Sequence, residues 1–136
     1  MPIYVLDASA GLDLLLDTER GRVIESELEV GGDWWVPEHY FMEVLSIIRR
    51  YVRTGDLTQI EADRLVARLC SADLSKAELQ PMVAEVWALR NNLTPYDACY
   101  VVLARTLGAT LVSTDYKLRG APGLGIEFIP KTLTKS

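Results

Sequence analysis

The sequence predicts an α/β fold, a three-layer α/β/α sandwich on a mainly parallel sheet. Three observations lead there. Short β-branched apolar runs alternate with stretches of helical length. Strands so separated pair in parallel, because parallel neighbours need a crossover that a helix supplies. The chain's 136 residues, 49% of them apolar, suit one compact domain with a single core.

The first strand is Ile3-Tyr4-Val5-Leu6, which ends abruptly at Asp7. Ser9 is positioned to cap a helix over 10–16, and a second helical stretch covers 19–28 before the Gly31-Gly32 break. Trp34-Trp35-Val36 reads as the second strand, and Pro37 suits the first turn of a long helix reaching about Arg53. Gly55 closes that helix. Thr58 and Glu61 have capping-box spacing for the next, which runs to about Cys70. A faint third strand lies within 74–79, and Pro81 opens a helix through Arg90. Thr94-Pro95-Tyr96-Asp97 introduces the most apolar helix, which must be covered on most sides. Strands at 110–113 and 126–129 complete the domain, leaving 131–136 as a loosely held tail.

Composition narrows the chemistry. Cys70 and Cys99 lie in apolar helical patterns without metal-type spacing, and read as reduced core residues. The single histidine, His39, argues against imidazole-rich zinc sites. Acid and metal chemistry therefore rests on carboxylates. Net charge is −5 with a pI near 4.9, which opposes binding of nucleic acid through a broad basic face. No run approaches membrane-spanning length and the first strand is too short for a signal sequence, so a cytoplasmic protein is expected.

Four carboxylates can reach one edge of such a sheet. In a right-handed α/β fold the C-terminal ends of strands and the N-terminal ends of helices share an edge. Asp7 follows the first strand, Asp115 follows the fourth, and Asp97 sits in the first turn of the helix before it. Glu43 lies roughly 8 Å into the helix after the second strand, its side chain tilted back toward the N-terminus. Like charges gathered there repel unless a cation or hydrogen-bond donors compensate, and hard oxygen ligands suit Mg²⁺ or Mn²⁺. Such a site can hydrolyse phosphodiesters.

Each position also has a plainer reading. Asp97 fits a capping box with Thr94, Asp115 fits a turn or helix cap, and Glu43 shares a polar helix face with His39, Ser46 and Arg50. Asp7 is the hardest to explain away, since a charge ending an apolar parallel strand stands where ligands bind. Arg49, Arg50 and Arg53 could hold the phosphate of a bound substrate, or simply complement the helix dipole.

The segments Ile3-Tyr4-Val5-Leu6-Asp7-Ala8-Ser9-Ala10, Pro37-Glu38 with Glu43-Val44-Leu45, Leu93-Thr94-Pro95-Tyr96-Asp97-Ala98-Cys99-Tyr100 and Leu111-Val112-Ser113-Thr114-Asp115 carry a resemblance. In order and spacing they resemble PIN-domain proteins, in particular VapC-type ribonuclease toxins of toxin–antitoxin pairs. The resemblance covers residues 1–130 as one PIN domain and implies a five-stranded parallel sheet of order 3-2-1-4-5. It implies a metal-dependent endoribonuclease whose Asp7, Glu43, Asp97 and Asp115 form the catalytic pocket for Mg²⁺ or Mn²⁺, with Asp7 and Asp97 as direct ligands. Ser113 stands where the family usually has threonine; it or Ser9 is expected to orient a ligand or water. The family further implies a homodimer and a cognate antitoxin, joined in a heterotetramer or larger assembly, with RNA as substrate. In that assembly an antitoxin segment wraps the toxin and can place a basic side chain in the acidic pocket. Trp34, Trp35, Tyr40 and Phe41 could feed such contacts, though core packing explains them as well. A non-catalytic PIN scaffold that binds RNA or protein is the alternative. A haloacid-dehalogenase-like phosphatase is disfavoured because Ser9 occupies the place of its second aspartate, and the glycine-rich stretch 120–125 precedes a strand where a phosphate-binding loop would follow one.

Overall fold

A computed structural model describes residues 1–133. Five strands, β1 (Ile3–Leu6), β2 (Asp33–Pro37), β3 (Ser75–Ala77), β4 (Thr110–Val112) and β5 (Phe128–Ile129), form one sheet of order β3-β2-β1-β4-β5. Every pairing is parallel: Val5 stands opposite both Trp35 and Leu111. The expected α/β fold and strand order are therefore present. Among the described residues no helix is long and apolar enough to cross a membrane.

The helices are α1 (Ala8–Leu16), α2 (Glu19–Glu27), α3 (Tyr40–Thr54), α4 (Gln59–Cys70), α5 (Val83–Ala88), α6 (Pro95–Leu107) and α7 (Tyr116–Arg119). Strand order moves from β1 to β2 to β3 and then reverses to β4. With right-handed crossovers, α1 to α4 cover one face and α5 and α6 the other. Packing agrees: α1 touches α2, α3 and α4, whereas α6 lies across β1, β2 and β4. Sandwiched in this way, α6 buries the unbroken run Ala98 to Ala104, which explains why its sequence is apolar all round. The core between layers is β-branched and close-packed, with Val5, Val36, Val44 and Val101 wholly buried.

Local chemistry shifts several boundaries. Asp7, and not Ser9, caps α1: its carboxylate accepts from the Ala10 N–H, so the helix begins at Ala8. Pro37 ends β2 instead of opening α3, since its place at the strand terminus demands no ladder N–H. Pro81 starts only a 3-10 turn, Gln80–Met82, before α5, which stops at Ala88. The capping box at Thr58 and Glu61 is formed on both sides. Helix α7 has no counterpart in the sequence reading, being too short to show a period. Cys99 is buried as expected, but Cys70 is exposed: α4 buries Ala62, Leu65 and Leu69, and Cys70 stands about 100° further round. At the chain's end Lys131 N–H donates to Glu27 and the Leu133 carbonyl accepts from Tyr116, so this part of the expected tail is tied down; 134–136 lie outside the described residues.

Candidate active site

The sheet's C-terminal edge is stitched where β1 meets β4. Asp7 leaves β1 with its N–H on the Val112 carbonyl at 3.0 Å, and its side chain is only 3% exposed. Asp7 Oδ1 accepts from Ser9 Oγ at 2.8 Å and from Ala10 N–H at 2.9 Å. Ser113, buried at the end of β4, adds a further side-chain hydrogen bond to Asp7, and its Oγ accepts from the Asp115 N–H at 3.1 Å. Ser9 Oγ in turn accepts from the Thr114 N–H. The two serines thus lock the two strand ends together around one carboxylate. Burial pushes Asp7 up to about 7; the Ser113, Ala10 and Ser9 hydrogen bonds resist that rise and the nearby Asp115 charge adds to it.

Asp115 caps α7, its Oδ1 accepting from the N–H groups of Lys117 and Leu118. Asp97 occupies the first turn of α6, where its N–H donates to Thr94 Oγ1 at 3.2 Å. Burial, then the charges of Asp115 and Glu43, hold Asp97 above the usual carboxylate range. Asp115 therefore couples to both Asp7 and Asp97, and Asp97 to Glu43. The plainer roles also hold. Asp7, Asp97 and Asp115 each take part in starting a helix, so capping and clustering coexist in the same side chains.

Glu43 lies one turn into α3 and is gripped by two donors on one oxygen. Tyr100 Oη donates to Glu43 Oε1 at 2.5 Å, and His39 Nε2–H reaches the same atom at 3.0 Å. His39 Nε2 also lies 3.1 Å from the Tyr96 carbonyl, so both of its neighbours are acceptors and this nitrogen carries the proton. Burial pushes Glu43 up, but the hydrogen bonds from His39 and Tyr100 outweigh it and leave the carboxyl below its ordinary value. His39 and Tyr100 were not singled out as site residues in the sequence. Their spacing was a signal: His39 is one turn before Glu43, and Tyr100 three residues after Asp97.

Beneath the carboxylates, Tyr40 is buried and its hydroxyl fills the space a Gly11 side chain would need. Asp13 of α1 accepts from Thr114 Oγ1 at 2.6 Å and from Thr18 Oγ1 at 2.8 Å, holding the β4–α7 turn against α1. Arg49, Arg50 and Arg53 are exposed further along α3, roughly 9–15 Å beyond Glu43 at 1.5 Å per residue, and do not line the acidic edge. Trp34, Trp35 and Phe41 pack partly buried against the core.

The donor set is hard carboxylate oxygen, which suits Mg²⁺ or Mn²⁺. Among the described residues no three His, Cys, Asp or Glu side chains are gathered tightly enough to enclose an ion by themselves. Magnesium keeps several waters and takes one or two protein carboxylates, so these residues still fit it.

A model of the PIN domain matches residues 4–124. Ribonuclease VapC3 of Mycobacterium tuberculosis (strain ATCC 25618 / H37Rv) is 36% identical over 118 residues, covering 86% of this chain and 85% of that protein. Ribonuclease VapC12 of the same strain is 32% identical over 125 residues, covering 92% and 96%. Among solved structures, PAE2754 from Pyrobaculum aerophilum superposes with a TM-score of 0.67 at 23% identity, over 95% of this chain and 85% of that one. VapBC2 from Rickettsia felis, bound to a DNA fragment from their promoter, gives 0.60 at 13% identity over 93% and 96%. At those identities the structural likeness speaks for the fold.

Proposed function

The chain belongs to the PIN-domain family, and on that premise we propose that it is an endoribonuclease acting as the toxin of a toxin–antitoxin pair. Its two quoted relatives are ribonucleases and match over most of both chains, which supports the activity. The observation that carries the reading to chemistry is the coupling of Asp7, Asp97, Asp115 and Glu43, drawn from four separate segments to one sheet edge. Helix starts account for three of these positions singly but not for their convergence with Glu43, and the repulsion felt at Asp7 and Asp97 is a cost that a bound cation offsets.

In this proposal Asp7 and Asp97 hold Mg²⁺ or Mn²⁺ directly, with Asp115 and Glu43 completing the pocket. When bound, the ion supplies an activated water and charge stabilisation at the phosphate. The protein's own part is to fix the carboxylates. Ser9 and Ser113 orient Asp7, Asp115 is pinned by the α7 N-terminus, and His39 with Tyr100 keeps Glu43 ionised and immobile. A preset donor array costs little reorganisation when the reaction occurs. The same acidic pocket is complementary to a basic side chain, which supports a protein antitoxin as the inhibitory partner; a homodimer enters the proposal from the family.

The decisive experiment uses protein freed of any antitoxin, a pool of structured RNAs, and Mg²⁺ or Mn²⁺. Cleavage is expected with wild type and lost in Asp7→Asn and Asp97→Asn. Undiminished cleavage by both variants, or none by wild type, would leave a non-catalytic scaffold as the better description.

A further inference from the structure

Next to Glu43 the surface opens into a groove of about 420 Å³ lined by His39, Met42, Glu43, Ser46, Ile47 and Tyr96. That volume is in the range of small-molecule clefts, ~300–1,000 Å³. Two of its lining side chains are large, apolar and exposed, Tyr96 at 62% and Met42 at 61%. The groove shares Glu43 with the carboxylate cluster, and Tyr96 is the residue immediately before Asp97. The Tyr96 backbone is fixed from below by His39, whose Nε2–H reaches its carbonyl, and the two rings lie 5.6 Å apart. This makes Tyr96 a held platform, exposed on its outer side.

Charge says what such a platform is for. With 14 basic against 19 acidic residues, the chain cannot draw much affinity for a polyanion from phosphate contacts, which supply most of the grip in basic proteins. The arginines of α3 stand away from the carboxylates. Contacts to an uncharged part of the strand remain, and every nucleobase has a π-face that an aromatic ring can stack on.

We propose that this groove is a base-binding subsite, in which one unstacked nucleobase next to the scissile phosphate lies on Tyr96 with Met42 and Ile47 as its apolar wall. This rests on the nuclease reading above. Tyr96 then sets where the strand lies relative to Asp97 and Glu43, and takes no part in the bond cleavage. A base paired in a duplex cannot enter, so the subsite selects unpaired nucleotides at the cut.

The test uses the full chain and a single-stranded oligoribonucleotide that wild type cleaves, together with versions carrying an abasic nucleotide at each position flanking the cut. Tyr96→Ala is expected to raise KM roughly ten-fold or more, the scale of a lost base–aromatic stack, with kcat within about two-fold. Tyr96→Phe should stay close to wild type. One abasic position should raise the KM of wild type and of Tyr96→Phe but have little further effect on Tyr96→Ala. The proposal is overturned if Tyr96→Ala keeps the wild-type KM, or if the abasic penalty is as large in that variant; the exposed rim would then serve a protein partner or nothing. If wild type cleaves no RNA, the nuclease reading fails separately. The groove is then judged by binding of a fluorescent single strand to Asp7→Asn protein: a ten-fold weaker affinity on adding Tyr96→Ala upholds it, and no change ends it.

Discussion

Tyr100, on α6, donates its phenolic hydrogen to Oε1 of Glu43, on α3, over 2.5 Å. The two helices arrive from opposite faces of the sheet, so this bond closes the acidic edge across both layers. Burial and the neighbouring Glu43 carboxylate raise Tyr100 far above the ordinary phenol range, which keeps it a donor at any working pH.

Tyr100→Phe removes that donor and leaves His39 alone on Glu43. We expect a stability loss of about 1.5–3 kcal/mol, the range for a hydrogen bond to a charged group, measured by denaturant titration. Glu43 is held below its ordinary value partly by this bond, so its loss lets the carboxyl rise. The Glu43 carboxyl, followed by NMR, should titrate at higher pH in the variant, while the acidic limb of cleavage, set by Asp7 at about 7, stays in place. An unmoved Glu43 titration would show that the Tyr100 bond does not hold this carboxyl down.

Asp7→Asn should abolish cleavage and raise stability. The folded state binds the Asp7 proton more tightly than the unfolded state, since burial lifts it from an ordinary 3.8 to about 7. Its contribution is therefore fully present below about 3.8 and is lost as pH rises through 7. At ~1.36 kcal/mol per pH unit, ionised Asp7 costs on the order of 4 kcal/mol at pH 8. Asparagine keeps an acceptor for the Ala10 N–H without the charge. Thermal melts from pH 4 to pH 8 should show the variant gaining on wild type as pH rises, with little difference at the acid end.

Much of this was legible because strong local signals and global topology agree. The β-branched run before Asp7, the box at Thr58 and Glu61, and the Thr94-Pro95 helix start each specify an element by chemistry confined to a few residues. Strand order and edge placement then follow from right-handed crossovers. Other features depend on contacts between distant segments. The lone His39 was assigned no site role, because its importance comes from meeting Glu43 and the Tyr96 carbonyl in three dimensions. Ser9 looked like a helix cap because hydroxyls cap well, yet Asp7 already filled that position and turned Ser9 into its donor. The four-residue α7 is one turn, below the length at which hydrophobic periodicity can be read.

Gly11→Ala should destabilise the fold without touching a carboxylate. A side chain there would occupy the position of the Tyr40 hydroxyl, and Tyr40 is only 2% exposed, so it has little room to retreat. Overpacking of this kind costs about 1–3 kcal/mol. Pairing it with Tyr40→Phe removes the obstructing oxygen but leaves the ring carbon Cζ 2.9 Å from the new methyl, so it should restore only part of that loss in denaturant titrations. A double variant no more stable than Gly11→Ala alone would place the strain elsewhere.

Ser113→Ala tests whether Asp7 must be ionised for metal to bind. The Ser113 hydrogen bond works against burial at Asp7, so its removal should push that carboxyl above about 7. A divalent ion requires the charged form and competes with the proton. In wild type, Mn²⁺ affinity measured by calorimetry should therefore rise from pH 6 to pH 8. In Ser113→Ala the same rise should be displaced to higher pH, so that affinity at pH 7 falls several-fold and recovers toward pH 9. Loss of affinity that is equal at every pH would mean that Ser113 shapes the pocket without tuning Asp7, and an affinity independent of pH in both proteins would take Asp7 out of the ligand set. Asp97→Asn serves as the reference for a missing ligand: it should weaken Mn²⁺ binding across the whole range, because no rise in pH returns the lost charge.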